Sequence, residues 1–262
     1  MVQSSKKAVL PNGATICYTE YGRGIPLFCL TGINSTQAMW SRGFINLLAE
    51  RFRVVTFDHR GVGGSVGPRP HSIASFAVDA SLLIKHLSLT KAHILGVSMG
   101  GMVAQHLAVH HSDCVDHLIL GATSCSGLLI RPKLRMLLGA FFYLKPTLAA
   151  RALVSDHYLH ADPGHLQSLL DTMRSSSAGT TVFLEQLAAI ANFNLRREIS
   201  NITSPTLVIC GTDDQIINHE NSDLIASKIR GARLIKWDGV GHLFPRERPA
   251  DTVEAISNFA RS

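Results

Sequence analysis

The sequence predicts an α/β protein, a mostly parallel sheet covered by helices on both faces and interrupted by one helical insertion. Three observations carry this reading. Short apolar runs bounded by turn residues alternate with segments of helical spacing along most of the 262 residues. One such run, Ala92-His93-Ile94-Leu95, leads directly into Gly96-Val97-Ser98-Met99-Gly100, a pattern that fits a sharp strand-to-helix turn. Between 124 and 200 the strand rhythm stops, and only helical patterns remain.

Taken in order, Ala8-Val9-Leu10 and the run from Ala14 to Tyr18 flank Pro11-Asn12-Gly13, and so predict an opening antiparallel hairpin. Strands at 27–30 and 54–57 flank a helix near 36–50. Apolar spacing at Ile73, Phe76, Ala80, Leu83, Ile84 and Leu87 predicts a helix over 72–87, with Ser72 as its N-cap. The strand before Ser98, a small-residue helix over 101–111 and a strand at 115–120 follow. Four helical patterns, 132–144, 148–159, 164–174 and 180–193, fill the next stretch. A structureless loop of that length would be improbable. The reading is therefore a core domain of 1–123 and 201–262 carrying a helical cap, or lid, at 124–200. Strands at 205–210 and 232–237 and an amphipathic helix over 248–260 close the chain.

Composition narrows the class. Hydrophobic residues at 46% with 17% charged describe a globular protein with a large core rather than a disordered chain. The net charge of +6 is spread along the chain without a basic run, which argues against nucleic acid as a partner. The five cysteines are odd in number, and three lie in or beside apolar strand runs, as buried free thiols do. Met1 to Ala14 lacks the apolar core of a signal peptide, and the apolar stretch 136–144 is too short to span a bilayer. The expectation is a cytoplasmic protein without stable membrane insertion; the oligomeric state is not specified. His110 and His111 are adjacent and no Cys-x-x-Cys occurs, so no metal is expected. Gly61-Val62-Gly63-Gly64 lacks phosphate-loop spacing and its Lys, so no nucleotide cofactor is expected.

The candidate chemistry gathers at loops after strands. Ser98 would stand exposed beside backbone N–H groups, the arrangement acyl transfer requires. The run Thr206-Leu207-Val208-Ile209-Cys210 reads as a buried strand ending in Gly211-Thr212-Asp213-Asp214, and 232–237 leads to Gly241-His242. In an open parallel sheet such loops converge on one edge, so Ser98, one of the two acids, and His242 can meet there. Periodicity does not separate Asp213 from Asp214. Asp58 and Asp238 are expected to serve their turns, and His59 to be a bystander. The cap patterns are rich in apolar residues, among them Phe141, Phe142, Phe183, Leu187 and Ile190, which favours a lipophilic substrate group.

Further segments resemble the α/β-hydrolase superfamily over nearly the whole chain. Phe57-Asp58-His59-Arg60-Gly61-Val62-Gly63-Gly64-Ser65 is similar to its Asp-x-Arg-Gly-x-Gly-x-Ser turn, Leu207 to Asp214 to its acid strand, and Gly241-His242 to its histidine loop. The third strand of the family normally ends in His-Gly, where this chain has Thr31-Gly32. From Trp40 through Gly121 the chain looks most like small capped serine esterases and lactonases, including enol-lactone and aminoacrylate hydrolases. The resemblance implies an eight-stranded, mostly parallel α/β-hydrolase sheet. It also implies a catalytic triad of Ser98, Asp214 and His242, with backbone N–H groups of Met99 and Ile33 as oxyanion hole. Substrate contacts would come from Thr31, Gly32, Asn34, Phe141 and Leu243. The activity implied is lipase-like or esterase-like cleavage of a small carboxylic ester or lactone. Alternatives are carbon–carbon bond hydrolysis on the same fold, or a ligand-binding receptor with little turnover.

Overall fold

A computed structural model describes residues 4–128 and 145–261. Its sheet contains β1 (Lys6–Val9), β2 (Thr15–Tyr21), β3 (Pro26–Leu30), β4 (Arg53–Phe57), β5 (Ala92–Val97), β6 (Val115–Gly121), β7 (Thr206–Gly211) and β8 (Arg233–Trp237). These eight strands lie in the order β1-β2-β4-β3-β5-β6-β7-β8. β2 runs antiparallel to both β1 and β4, and every other pairing is parallel. This is the α/β-hydrolase fold.

Residue alternation along the central strands sorts side chains into two apolar layers. Phe28, Leu30, Ile94, Leu118, Leu120 and Val208 face α2 (Ile73–His86) and α3 (Met99–His110). Leu27, Cys29, Leu95, Val97, Ile119, Leu207 and Ile209 face the other side. There they meet α1 (Arg42–Ala49) and the closing helix over Pro249–Phe259. Strands apolar on both faces are what a parallel sheet between helices demands. All five cysteines are free and buried.

Capping fixes the helix starts. Ser72 accepts from the Ser75 amide at 3.0 Å while Ser75 Oγ accepts from the Ser72 amide at 2.9 Å, a reciprocal box opening α2. The expected helix over 36–50 is instead split. A short turn at Gln37–Met39 ends at Trp40, which is extended, and Ser41 then caps α1 by accepting from the Phe44 amide.

Between β6 and β7 the described residues form α4 (Pro146–Leu153), α5 (Asp156–Ala161), α6 (Gly164–Ser176) and α7 (Thr180–Ala191). The expected single helix at 148–159 breaks at Val154, which is extended, and Ser155, which caps α5. The expected helix at 132–144, and with it Phe141, lies outside the described residues. A small apolar cluster of Ala150, Val154, Leu169 and Leu170, with Tyr158 and Leu159 packed on it, joins α4, α5 and α6 and touches Met39 and Leu243 of the sheet-bearing part, while Ala189 of α7 joins the main core. The chain then adds α8 (Glu220–Lys228), α9 (Phe244–Glu247) and α10 (Pro249–Phe259). No described helix is long and apolar enough to cross a membrane.

Two histidines tie this fold to pH. Burial pushes His59 down to about 4, and burial together with His110 and His111 pushes His106 to about 4, from an ordinary 6.5. Both are neutral when folded, so between about 6.5 and 4 the unfolded chain binds more protons. Their contribution to stability is complete above that window and is lost as pH falls through it. Thermal melts should therefore show Tm decreasing from pH 7 to pH 5, with a shallower decrease in His59→Gln; identical slopes would refute the assignment to His59.

Candidate active site

The passage from β5 to α3 is the tightest backbone in the site. Ser98 has φ 60° and ψ −123°, a conformation rare for a residue with a side chain. The surroundings enforce it: the Ser98 amide donates to the Gly121 carbonyl at 2.9 Å, and Thr123 Oγ1 donates to the Ser98 carbonyl at 2.7 Å. A Cβ on Gly100 would strike the Leu30 carbonyl, and one on Gly96 would strike the Gly100 carbonyl. The glycines of the Gly-x-Ser-x-Gly motif are thus required where α3 begins against β3 and β5. Ser98 is only half-buried.

His242 and Asp214 come from the loops after β8 and β7. Both are buried, and His242 Nδ1 lies 2.7 Å from Asp214 Oδ2. The other Asp214 oxygen accepts from the amides of Ile216 and Ile217 at 2.7 and 2.9 Å, which fixes the carboxylate plane. Asp213 is exposed and takes no part. Asp238 accepts from Thr212 Oγ1 in its own turn.

A cavity of about 540 Å³ opens beside these groups, lined by both Ser98 and His242. Gly32, Ile33, Asn34, Met99 and Leu243 also reach it, together with apolar side chains of the inserted helices such as Leu153, Phe183, Leu187 and Ile190. The loop after β3 runs close by, since a Cβ on Gly32 would lie 3.7 Å from Ser98 Oγ. The Met99 amide opens α3, where first-turn amides have no acceptor within the helix.

Thr31 departs from the expectation of a substrate contact. It is buried and absent from the cavity wall, because its hydroxyl turns back to donate to the Ser35 carbonyl at 3.1 Å. His59, expected as a bystander, instead props this loop: its ring packs between Phe57 and Phe76, with Nε2 3.2 Å from the Thr31 carbonyl. Asn34, at φ 53°, has its amide bonded to Gln186 Oε1 at 2.7 Å and its side-chain oxygen to the Ala178 amide at 2.9 Å. Its side-chain nitrogen also reaches Ser177 Oγ. Asn34 therefore joins the loop to the inserted helices.

The motif Asp58 to Ser65 is structural scaffolding. Asp58 accepts from the amides of Gln37 and Gly64, and Ser65 Oγ donates to the Asp58 carbonyl while accepting from the Cys17 amide. Arg60 makes a two-pronged buried pair with Asp79.

Glu247 is a residue that the sequence did not single out. Its carboxylate accepts from the amides of Gly241 and Ser155 and from Ser155 Oγ, so it holds the His242 loop against the start of α5. Burial raises its pKa, while these donors pull the other way. Glu247→Ala leaves the donors unpaired and should cost about 2–4 kcal/mol in urea unfolding; a loss below about 0.5 kcal/mol, the size of an ordinary surface substitution, would contradict the clamp.

Residues 27–255 match the family model described as the alpha/beta hydrolase family, and the chain belongs to that family. A poly(3-hydroxyalkanoate) depolymerase from Ectopseudomonas oleovorans is 29% identical over 240 residues, covering 89% of this chain and 83% of the relative. RutD of Serratia proteamaculans, provisionally named a carbamate hydrolase, is 27% identical over 220 residues, covering 80% and 81%. Among solved structures, a hydrolase from Pseudomonas aeruginosa PA01 aligns over 100% of both chains with a TM-score of 0.84 and 26% identity.

Proposed function

We propose that this hydrolase cleaves a carboxylic ester or lactone with an apolar acyl group through a covalent acyl-Ser98 intermediate. The observation that carries the reading is the buried Asp214–His242 pair opening onto the same cavity as the strained Ser98. With Nδ1 engaged by Asp214, His242 presents Nε2 to take the Ser98 proton during attack on the acyl carbon. The carbonyl oxygen becomes an anion in the tetrahedral intermediate, and the Met99 and Ile33 amides supply its donors. Collapse expels the alcohol, which takes the proton from His242. Water then repeats the cycle on the acyl-enzyme and frees the acid. In a lactone the alcohol and acid remain one molecule.

The inserted segment 124–200 acts in this reading as a cap over the carboxyl edge of the sheet. Leu153, Phe183, Leu187 and Ile190 supply apolar walls to the cavity, which suits an alkyl chain. The resemblance to a depolymerase of poly(3-hydroxyalkanoate), an aliphatic polyester, supports the same substrate class.

Two measurements test the machinery. A fluorophosphonate probe should label the wild type at Ser98, and Ser98→Ala should lose both labelling and about 10⁴-fold or more of kcat. Unchanged turnover in that variant would end the acyl-enzyme proposal. Asp214→Asn should lower kcat by about 10⁴-fold while preserving the fold, and Asp213→Asn should change it less than about tenfold; the reverse order would reassign the acid.

The acyl site is tested by kcat/KM for p-nitrophenyl esters from acetate to octanoate. Each methylene buried contributes roughly 0.8 kcal/mol, so specificity should climb up to about fourfold per carbon until the cavity is filled. A flat series, or best activity on acetate, would remove apolar selection from the proposal.

A further inference from the structure

At the opposite edge of the sheet, where β5 and β6 begin, His93, Asp116 and His117 converge. One ligand atom from each lies within 4.8 Å of the others. His93 Nδ1 is 3.2 Å from Asp116 Oδ2, and His117 Nδ1 is 3.4 Å from the same oxygen. Adjacent strand residues normally point to opposite faces, so Asp116 and His117 should not share a partner. The pairing of β5 with β6 shifts register between Ala92 and Ile94, and this irregularity sets both residues against the single His93.

The three groups approach one another without forming hydrogen bonds. Both ring nitrogens of His93 and Nδ1 of His117 are buried and make none, despite the carboxylate oxygen nearby. Unpaired buried imidazole nitrogens facing a carboxylate are costly unless something else satisfies them. The separations have a natural reading. Ligands bound tetrahedrally at about 2.1 Å from a central ion stand about 3.4 Å apart, close to the two distances found here. Phe52 packs against the His93 ring and Phe259 against the His117 ring, fixing both imidazoles. Asp116 is half exposed, so the cluster is open to solvent on its side.

We propose that His93, Asp116 and His117 form a binding site for a divalent transition-metal ion of the zinc class, with water completing the coordination. Two imidazoles and one carboxylate suit Zn²⁺ better than Mg²⁺ or Ca²⁺, which take all-oxygen shells. The site pins the starts of two central strands. Five residue steps separate His93 from Ser98, a span of roughly 17 Å along β5, so the site stands independently of any reading of the catalytic edge. The absence of a metal set expected from local spacing fails to see this cluster, because its members come from two strands and meet only at the irregularity.

The test is calorimetric titration of chelator-treated full-length protein with ZnCl₂, with the visible spectrum of added Co²⁺ as a second readout. Wild type should bind one equivalent of Zn²⁺, give a tetrahedral Co²⁺ spectrum, and gain roughly 5–10 °C in Tm at a hundredfold excess over Kd. Asp116→Asn and His117→Gln each remove a direct ligand, and should weaken binding by more than about 100-fold. Asp116 is exposed enough that its isosteric amide variant will fold, which circular dichroism verifies. Failure of wild type to bind Zn²⁺, or binding whose stoichiometry and affinity survive both substitutions, would overturn the site.

Discussion

Everything at the carboxyl edge depends on how closely α3 is allowed to start against the sheet. The Leu30 carbonyl and the turn at Gly100 leave no volume for a side chain, and Gly96 is equally confined. The chain satisfies this crowding by placing Ser98, rather than a glycine, in the left-handed region. A side chain forced into that conformation costs on the order of 1–3 kcal/mol, which the surrounding packing must offset. The offset is visible in the carbonyl of Gly121 and the hydroxyl of Thr123, each gripping one end of the Ser98 backbone. What results is a hydroxyl projecting toward the cavity from a rigid, buried base.

The other members of the site are held by the same logic, with side chains recruited to lock irregular backbone. Asp58 and Ser65 tie a glycine turn to β2 and to the residues before α1. His59 and Thr31 shape the loop that brings Ile33 past Ser98. Glu247 gathers three donors from two distant segments, and so fixes the approach of His242. Loops built this way can hold a reactive geometry because few of their polar groups are left to compete for alternative partners.

Much of this was legible in the chain, for definite physical reasons. The sheet follows from apolar runs separated by helical periods, and the edge where chemistry collects follows from parallel connection. Ser98 and His242 stand out because strand ends and glycine turns are local signals. Other features leave no local trace. The acidic pair after β7 carries no period; the family resemblance singles out Asp214, and the fold sets it against His242 with Asp213 outside. The bonds from Glu247 to Ser155 and from Asn34 to Gln186 span 92 and 152 residues, distances over which pattern carries no information. Gln186 offered a faint signal, a polar residue flanked at i−3 and i+4 by Phe183 and Ile190. The break at Val154 and Ser155 was hidden for a related reason, since the partner that stabilises it lies across the molecule.

Asn34 has a mechanical consequence. Its amide, side-chain oxygen and side-chain nitrogen are all engaged by residues 177, 178 and 186, while the next residue back along the chain is Ile33. The junction between α6 and α7 is thereby geared to the peptide beside Ser98. Displacing that junction by a given amount drags the loop with it, unless three hydrogen bonds break first. The inserted helices and the loop beside Ser98 thus behave as one linkage, and a substitution far from Ser98, at Ser177 or Gln186, reaches the surroundings of Ser98 through this lever rather than through the space between them.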